Sequence, residues 1–330
     1  MQGEMLLFSG SSHPELTYAI AQRLGISVGK SQVIRFSNEN LMIRIGDNVR
    51  EKDVFVVQTS APPVSDKIVE LLIFLDALKY ASAARVTAVV PYFFYSRSDK
   101  KDEPRISIAA RLMADLLETA GASRILTMDL HSPQIQGFFR IPADQLLAAP
   151  IFFEYFNEVL FKQEAKEDFI LVMADHGAAK QFSYYQSELK LDVAIVDKIR
   201  YDHNEKPIIR DIIGMKKQKS ALIIDDEIAS GSTLIEIAKF LKEKFEPKKI
   251  IAVAVHPILS GNAVKNLVES PINKIVVGNT VPVKEKIAQY KDRFEVLDLS
   301  PLFARAIQCI HNGDSLSELF PPSVRRRQPF

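Results

Sequence analysis

The chain carries a single cysteine, Cys309, in 330 residues. One thiol excludes an internal disulfide and fits a reducing cytosol. Charge of either sign is not in surplus, since 42 Lys and Arg stand against 41 Asp and Glu. The resulting net charge of +1 offers no field that would favour nucleic acid or a membrane surface. Apolar runs stay far short of the roughly 18 residues a membrane helix needs, and nothing at the N-terminus reads as a cleavable signal. The Walker A pattern Gly-x-x-x-x-Gly-Lys-Ser/Thr is also missing, which argues against an ordinary P-loop kinase. The expectation is a cytoplasmic protein with no nucleic-acid and no membrane partner.

What is present describes a globular α/β protein. At 330 residues the chain is long for one core and comfortable for two domains. Short β-branched runs alternate with longer helical patterns, which predicts βα units and a mostly parallel sheet. Strands are expected at 54–58, 85–90 and 124–128 in the first half. In the second half they are expected at 169–173, 193–196, 221–224 and 250–255. Ile68, Leu71, Leu72, Leu75 and Leu78 recur at helical spacing and predict a core stripe. Ser12-His-Pro-Glu15 reads as a capping box opening the first helix. The two halves meet near 148–151, giving expected domains of 1–149 and 150–330. A final helix near 304–312 is expected to pack back onto the first domain. The segment 321–330 is Pro-rich and basic and reads as a solvated tail.

Residues 222–233, Leu-Ile-Ile-Asp-Asp-Glu-Ile-Ala-Ser-Gly-Ser-Thr, are the most informative stretch. A buried strand ends in Asp225 and Asp226, and an amphipathic helix begins at about Thr233. Between them Ala229, Ser230, Gly231, Ser232 and Thr233 let backbone N–H groups turn inward at a helix N-terminus. Such a nest, with nearby hydroxyls and the helix dipole, suits a phosphate monoester. Two adjacent carboxylates suit two neighbouring ribose hydroxyls. The unit therefore reads as a ribose 5-phosphate site, although an ordinary βα turn with an acidic N-cap is the alternative the loop alone leaves open.

Other candidates lie at strand ends. Lys198 and Arg200 stand two apart after an apolar strand, and in extended chain they point the same way. They could close together over a triphosphate or form a solvated pair on a mobile loop. His131 and Asp175 each follow an expected strand at its carboxyl end, where open α/β sheets place ligands. Gly177 would permit close backbone approach to phosphates.

Five blocks in order carry a resemblance that runs from Leu6 to about Phe320. They are Phe8-Ser-Gly-Ser-Ser-His-Pro-Glu-Leu16, Val90-Pro-Tyr-Phe-Phe-Tyr-Ser-Arg-Ser-Asp-Lys-Lys101, Thr127-Met-Asp-Leu-His-Ser-Pro-Gln-Ile-Gln-Gly-Phe-Phe139, Asp197-Lys-Ile-Arg200, and the 225–233 loop. The last resembles the phosphoribosyl-binding motif of type I phosphoribosyltransferases. The whole chain resembles the ribose-phosphate pyrophosphokinase (PRPP synthetase) family. That resemblance implies two similar phosphoribosyltransferase-like domains, each a mostly parallel sheet flanked by helices. It also implies transfer of the β,γ-diphosphoryl group of MgATP to ribose 5-phosphate, giving AMP and PRPP. The nucleotide-site elements would lie in the first domain, which has lost its own phosphate loop, and the sugar site in the second.

By the same resemblance Lys198 and Arg200 are catalytic, and His131 and Asp175 form the Mg²⁺ site. Imidazole is an unusual first ligand for so hard a cation, so His131 would act through a water or on a phosphate. Asp175, Gly177 and Lys180 form the diphosphate loop, and Phe36, Asn38, Asn40, Arg97 and Ser98 the ATP site. Phe36 matches the residue that stacks on adenine; a core aromatic at a strand end is its other reading. The partners implied are ATP, ribose 5-phosphate and further copies of the chain, assembled as a hexamer of dimers that share the ATP pocket.

Several positions depart from the family pattern. Asn38 and Asn40 replace carboxylates that accept from the adenine amino group, which predicts weaker nucleotide selectivity. Ser98 stands where Gln is usual and Ala229 where the sugar loop often has a third acid. His176 adds a titratable group beside the diphosphate loop, and Arg140 replaces an Asp, which could alter cation binding. Ala109 replaces a Ser in a segment that contributes to regulatory sites, so control by ADP and phosphate is not implied. A regulatory homologue without activity and a phosphoribosyltransferase consuming PRPP are the competing functional readings.

Overall fold

The computed structural model describes residues 3–199 and 208–325. These form two compact units. Unit 1 comprises the chain up to Leu147 together with Thr280–Pro282 and Leu299–Leu319. Unit 2 comprises Ala148–Asn279, Val283–Asp298 and the described residues from Phe320. The grouping therefore differs from a single cut at 149/150, because two later segments return to unit 1.

Unit 1 contains β1 (Met5–Ser9), β2 (Ser31–Arg35), β3 (Leu41–Ile45), β4 (Asp53–Val57), β5 (Arg85–Val90), β6 (Arg124–Met128) and β7 (Ala143–Leu146). Five of them make a parallel sheet in the order β1-β4-β5-β6-β7. The other two, β2 and β3, form a separate antiparallel hairpin. Every residue of β4 is buried, as expected of a parallel strand covered on both faces. The helix Val64–Tyr80 supplies part of that cover through Ile68, Leu71, Phe74, Leu75 and Leu78. Leu72, expected in the stripe, is only partly buried and packs at the margin of this core.

Serine 12 does not cap the first helix. That helix runs Pro14–Leu24 with His13 at the N-cap, whose side chain does not cap the first turn. Pro14 presets the helical φ and starts the helix one residue later than a capping box would, so Glu15 falls too early to reach back. The Ser12 hydroxyl instead accepts a 2.7 Å bond from the Thr59 N–H.

The helix Ser300–Asn312 belongs to unit 1 and packs on the helix Pro14–Leu24. Arg23 donates to Ser300 Oγ at 2.7 Å. Arg85 grips the buried Asp53 through both carboxylate oxygens and also donates to the Ile310 carbonyl. His311 Nδ1 lies 2.8 Å from Asp53 Oδ2. A bidentate guanidinium–carboxylate pair fixes orientation as well as contact, so this helix is locked to β4 and β5.

Unit 2 contains β8 (Phe169–Met173), β9 (Asp192–Ile199), β10 (Ile208–Ile213), β11 (Ser220–Glu227), β12 (Ile250–His256), β13 (Lys274–Gly278) and β14 (Phe294–Leu297). They form one sheet in the order β10-β9-β8-β11-β12-β13-β14, parallel except for the β9–β10 pair. The strand order reverses at β8 and β11, and crevices outside the carboxyl ends of strands at such a point are where open α/β sheets bind ligands. Asp175 follows β8, Lys198 lies near the end of β9, and Asp225 and Asp226 lie near the end of β11.

Candidate functional site

The sugar-loop candidates all sit on the β11–helix connection. β11 does not stop at 224. It continues through both carboxylates to Glu227, held by parallel pairing of Asp225 with Ala254 and Glu227 with His256. The following helix runs Ser232–Phe245, with Gly231 as its N-cap at φ 75°. Gly231 has no side chain to cap the first turn, whose N–H groups lie at the positive end of the helix dipole, and Ser230 Oγ accepts from Ser232 N–H at 3.4 Å. Glycine is needed here twice over. A side chain is strained at that φ, and a Cβ would lie 3.0 Å from the Leu267 side chain. Ser230 Oγ donates to Ser232 Oγ at 3.1 Å, so the two hydroxyls sit together at the mouth of the loop.

The loop is braced from behind by a segment the sequence had not singled out. Leu259 N–H donates to the Ile228 carbonyl and Ser260 N–H to the Ala229 carbonyl, each at 2.9 Å. Leu259 holds φ 48°, a left-handed conformation that a branched apolar side chain rarely takes. The turn residues of Leu259-Ser-Gly-Asn262 after an apolar strand were the available sequence signal for it.

The carboxylates differ in state. Burial pushes the Asp225 carboxyl well above the ordinary carboxylate range, and the adjacent Asp226 charge and hydrogen bond push the same way. Lys198 opposes this but does not win. Part of the Asp225 surface remains open to solvent, whereas Asp226 is buried. Together these effects favour the protonated form of the Asp225 carboxyl.

Asp175 is the opposite case. Burial raises its carboxyl, but the Ala178 N–H and the Lys198 ammonium together hold it below the usual range. It caps the short helix His176–Gln181 by accepting from Ala178 N–H at 2.8 Å. Its other oxygen lies 2.9 Å from Lys198 Nζ. Lys198 thus lies inside β9, paired with Ile209 of β10, and not after the strand as its sequence suggested. Arg200 lies outside the described residues. Gly177 sits where a Cβ would come within 3.1 Å of Asp175 Oδ1, and Lys180 and His176 are exposed on the same short helix.

The nucleotide-site candidates lie in unit 1. Phe36 is 48% exposed at the tip of the β2–β3 hairpin, so it is not a core aromatic. The tip is closed by Phe36 N–H to the Asn40 carbonyl and Glu39 N–H to the Phe36 carbonyl, both 2.9 Å. Asn38 Oδ1 accepts from Asn40 N–H at 3.2 Å, so its one side-chain acceptor atom serves the turn. Arg97 is exposed. Ser98 Oγ donates to the Ser107 carbonyl and accepts from Ala109 N–H, both 3.3 Å, closing the 98–109 loop onto the helix Ala109–Ala120. Arg140 docks on that helix through Asp115 and Glu118, neither of which is a site candidate.

His131 follows β6 in unit 1, whereas Asp175 follows β8 in unit 2. Among the described residues no group of three or more His, Cys, Asp or Glu is arranged to hold a metal ion. Asp175 alone suits a hard divalent cation, being an ionised oxygen ligand. No described helix is long and apolar enough to cross a membrane.

Residues 5–121 match the N-terminal domain of ribose phosphate pyrophosphokinase, and residues 199–321 match the phosphoribosyl synthetase-associated domain. A ribose-phosphate pyrophosphokinase from Caldanaerobacter subterraneus is 42% identical, covering 95% of this chain and 97% of its own. The chain belongs to the ribose-phosphate pyrophosphokinase family. Ribose-phosphate pyrophosphokinase 2 from Schizosaccharomyces pombe is 40% identical over 95% of this chain and 96% of its own. The crystal structure of phosphoribosylpyrophosphate synthetase from Mycobacterium smegmatis superposes with a TM-score of 0.86 at 34% identity, covering 94% of this chain and 99% of that one. As a ribose-phosphate pyrophosphokinase the chain is an α/β enzyme of diphosphoryl transfer, serving the formation of PRPP and hence of nucleotides.

Proposed function

We propose that the chain converts ATP and ribose 5-phosphate into AMP and PRPP through the residues described above, with unit 1 as the nucleotide domain and unit 2 as the sugar domain. The observation that carries this is the cluster at the carboxyl edge of the unit 2 sheet. Two adjacent carboxyls, one of them pushed up by burial and by its neighbour, stand at the head of a loop of small residues, beside a lysine–carboxylate pair. Asp225 and Asp226, ionised when the sugar is bound, would accept from the ribose 2- and 3-hydroxyls. The N–H groups of 229–233 and the Ser230, Ser232 and Thr233 hydroxyls would hold the 5-phosphate.

Phosphoryl-type transfer asks for alignment and for positive charge where negative charge builds up, more than for covalent help. Lys198 would leave Asp175 and swing onto the transferred group, with Arg200 beside it. Lys180 and the backbone at Gly177 would hold the product diphosphate. Phe36 would stack on adenine, Asn38 and Asn40 would contact its edge, and Arg97 and Ser98 would bind the triphosphate. Asp175 would hold Mg²⁺ directly and His131 through a water or a phosphate; the ion, when bound, neutralises charge on the transferred phosphates.

We further propose a cytoplasmic homo-oligomer built from dimers, as a hexamer, which a solution mass measurement checks. The activity is tested by incubating the full chain with MgATP and ribose 5-phosphate and following AMP and PRPP. Nucleotide binding without turnover would replace this reading with a regulatory role. Base-dependent loss of added PRPP would replace it with a phosphoribosyltransferase.

A further inference from the structure

The segment that braces the sugar loop is itself clamped. Lys286 Nζ donates to the Ile258 carbonyl at 2.6 Å and to the Leu259 carbonyl at 3.2 Å. An ammonium shared by two carbonyls makes charge-assisted bonds, which are stronger than neutral ones. Its backbone is anchored where it stands, because Ile287 N–H donates to the Val283 carbonyl and both side chains are buried in the unit 2 core. Lys286 is exposed as a residue, but partial burial of its ammonium lowers it from its ordinary value. The carbonyls it holds flank the left-handed Leu259, where the backbone has to be kept in place by its surroundings.

The connection to the loop is continuous. Of the two clamped residues, Leu259 donates from its N–H group to the Ile228 carbonyl, and Ser260 next to it donates to that of Ala229, at the base of the nest. We propose that Lys286 is a positioning residue for the sugar-phosphate loop, holding the 258–260 turn so that this turn fixes the backbone of Ile228 and Ala229. Lys286 acts on the ligand only through this turn. The inference deepens the ribose 5-phosphate reading and rests on it for its effect on affinity. The clamp itself stands on geometry alone.

The test uses the full chain, with Lys286→Met and Lys286→Arg compared with the parent. Lys286→Met weakens ribose 5-phosphate binding by calorimetry about tenfold, the scale of a lost hydrogen bond to a charged group. The KM for MgATP stays within about twofold, because the nucleotide elements belong to unit 1. Lys286→Arg, which keeps a cation with several donors, stays within about threefold of the parent.

Amide hydrogen exchange reads the clamp with no ligand present: Leu259 and Ser260 exchange faster in Lys286→Met, while amides in the middle of the helix Ser232–Phe245 do not. If the parent fails to bind ribose 5-phosphate but this exchange pattern appears, the ligand reading falls and the clamp survives. Unchanged exchange and unchanged sugar affinity in Lys286→Met overturn the inference. So does equal weakening of both substrates, which would mark a general loss of fold. Should Lys286→Met not fold, Lys286→Gln keeps one donor and carries the same test with a loss of roughly threefold.

Discussion

Lys198 Nζ lies 2.9 Å from Asp175 Oδ2, joining the end of β9 to the loop after β8 in unit 2. The lysine side chain is only 13% exposed, whereas the aspartate side chain is 43% exposed. The same ammonium opposes, without overcoming, the upward push that burial gives the Asp225 carboxyl.

Removing that cation separates chemistry from binding. Lys198→Ala is expected to cut kcat by about 100-fold or more, as expected for losing a group that stabilises the transition state, while ribose 5-phosphate affinity changes only a few-fold. Steady-state kinetics together with calorimetry of sugar binding checks this. Turnover within a few-fold of the parent would remove Lys198 from the catalytic machinery.

The raised Asp225 group makes sugar binding depend on pH. The folded, empty protein holds a proton at a pH where an unfolded aspartate, with its value near 3.9, has lost it. The group therefore contributes stability in the acid range and loses that contribution as pH rises through its folded value. A diol needs acceptors, so ribose 5-phosphate displaces the proton and binds more tightly as pH rises through the same window. Calorimetry in two buffers of different ionisation heat should show proton release on binding, and Asp225→Asn should abolish that release. Absence of release in the parent would refute the raised Asp225 value.

Gly231 is the loop position with least tolerance. Gly231→Ala places a Cβ 3.0 Å from Leu267 at φ 75°, a conformation costing an L-residue about 1–2 kcal/mol. A lower unfolding midpoint and weaker ribose 5-phosphate binding are expected together. A variant with parental affinity would show that the N–H groups of this turn are not the phosphate site.

The hairpin tip bears on nucleotide choice. Asn38 spends its carbonyl on Asn40 N–H, so fewer acceptors remain for an adenine amino group. The ratio of kcat/KM for ATP over GTP is expected to stay below about 100, whereas sites built to hydrogen-bond a group reach 10⁴ or more. A ratio in that higher range would sink the idea.

The inner parallel strands were legible because each is a short β-branched run bounded by turns, whereas β1, β7, β13 and β14, at or near the sheet edges, were not picked out. β5, β6 and β8 fall on the expected residues. β9 and β11 run longer than their apolar runs, since ladder pairing with β10 and β12 carries charged residues such as Lys198 and Asp225 into strands. Composition cannot show that, because the cause lies in a distant partner. Ser12 was misread for a similar reason: its spacing from Glu15 suits a cap, but its hydroxyl accepts instead from the Thr59 N–H, 47 residues away. The turn at 259–262 carried a sequence signal, but its bracing of the sugar loop and its clamp by Lys286 did not, since those bonds join segments with no shared motif.

Unit 1 is finished by a helix encoded near the far end of the chain. On the ribosome, the flank of the helix Pro14–Leu24 and the Asp53–Arg85 pair must therefore wait through the synthesis of all of unit 2 before Ile310 and His311 arrive. A product truncated before residue 300 would carry a complete sugar loop but an uncovered first unit, with apolar surface offered to chaperones and proteases.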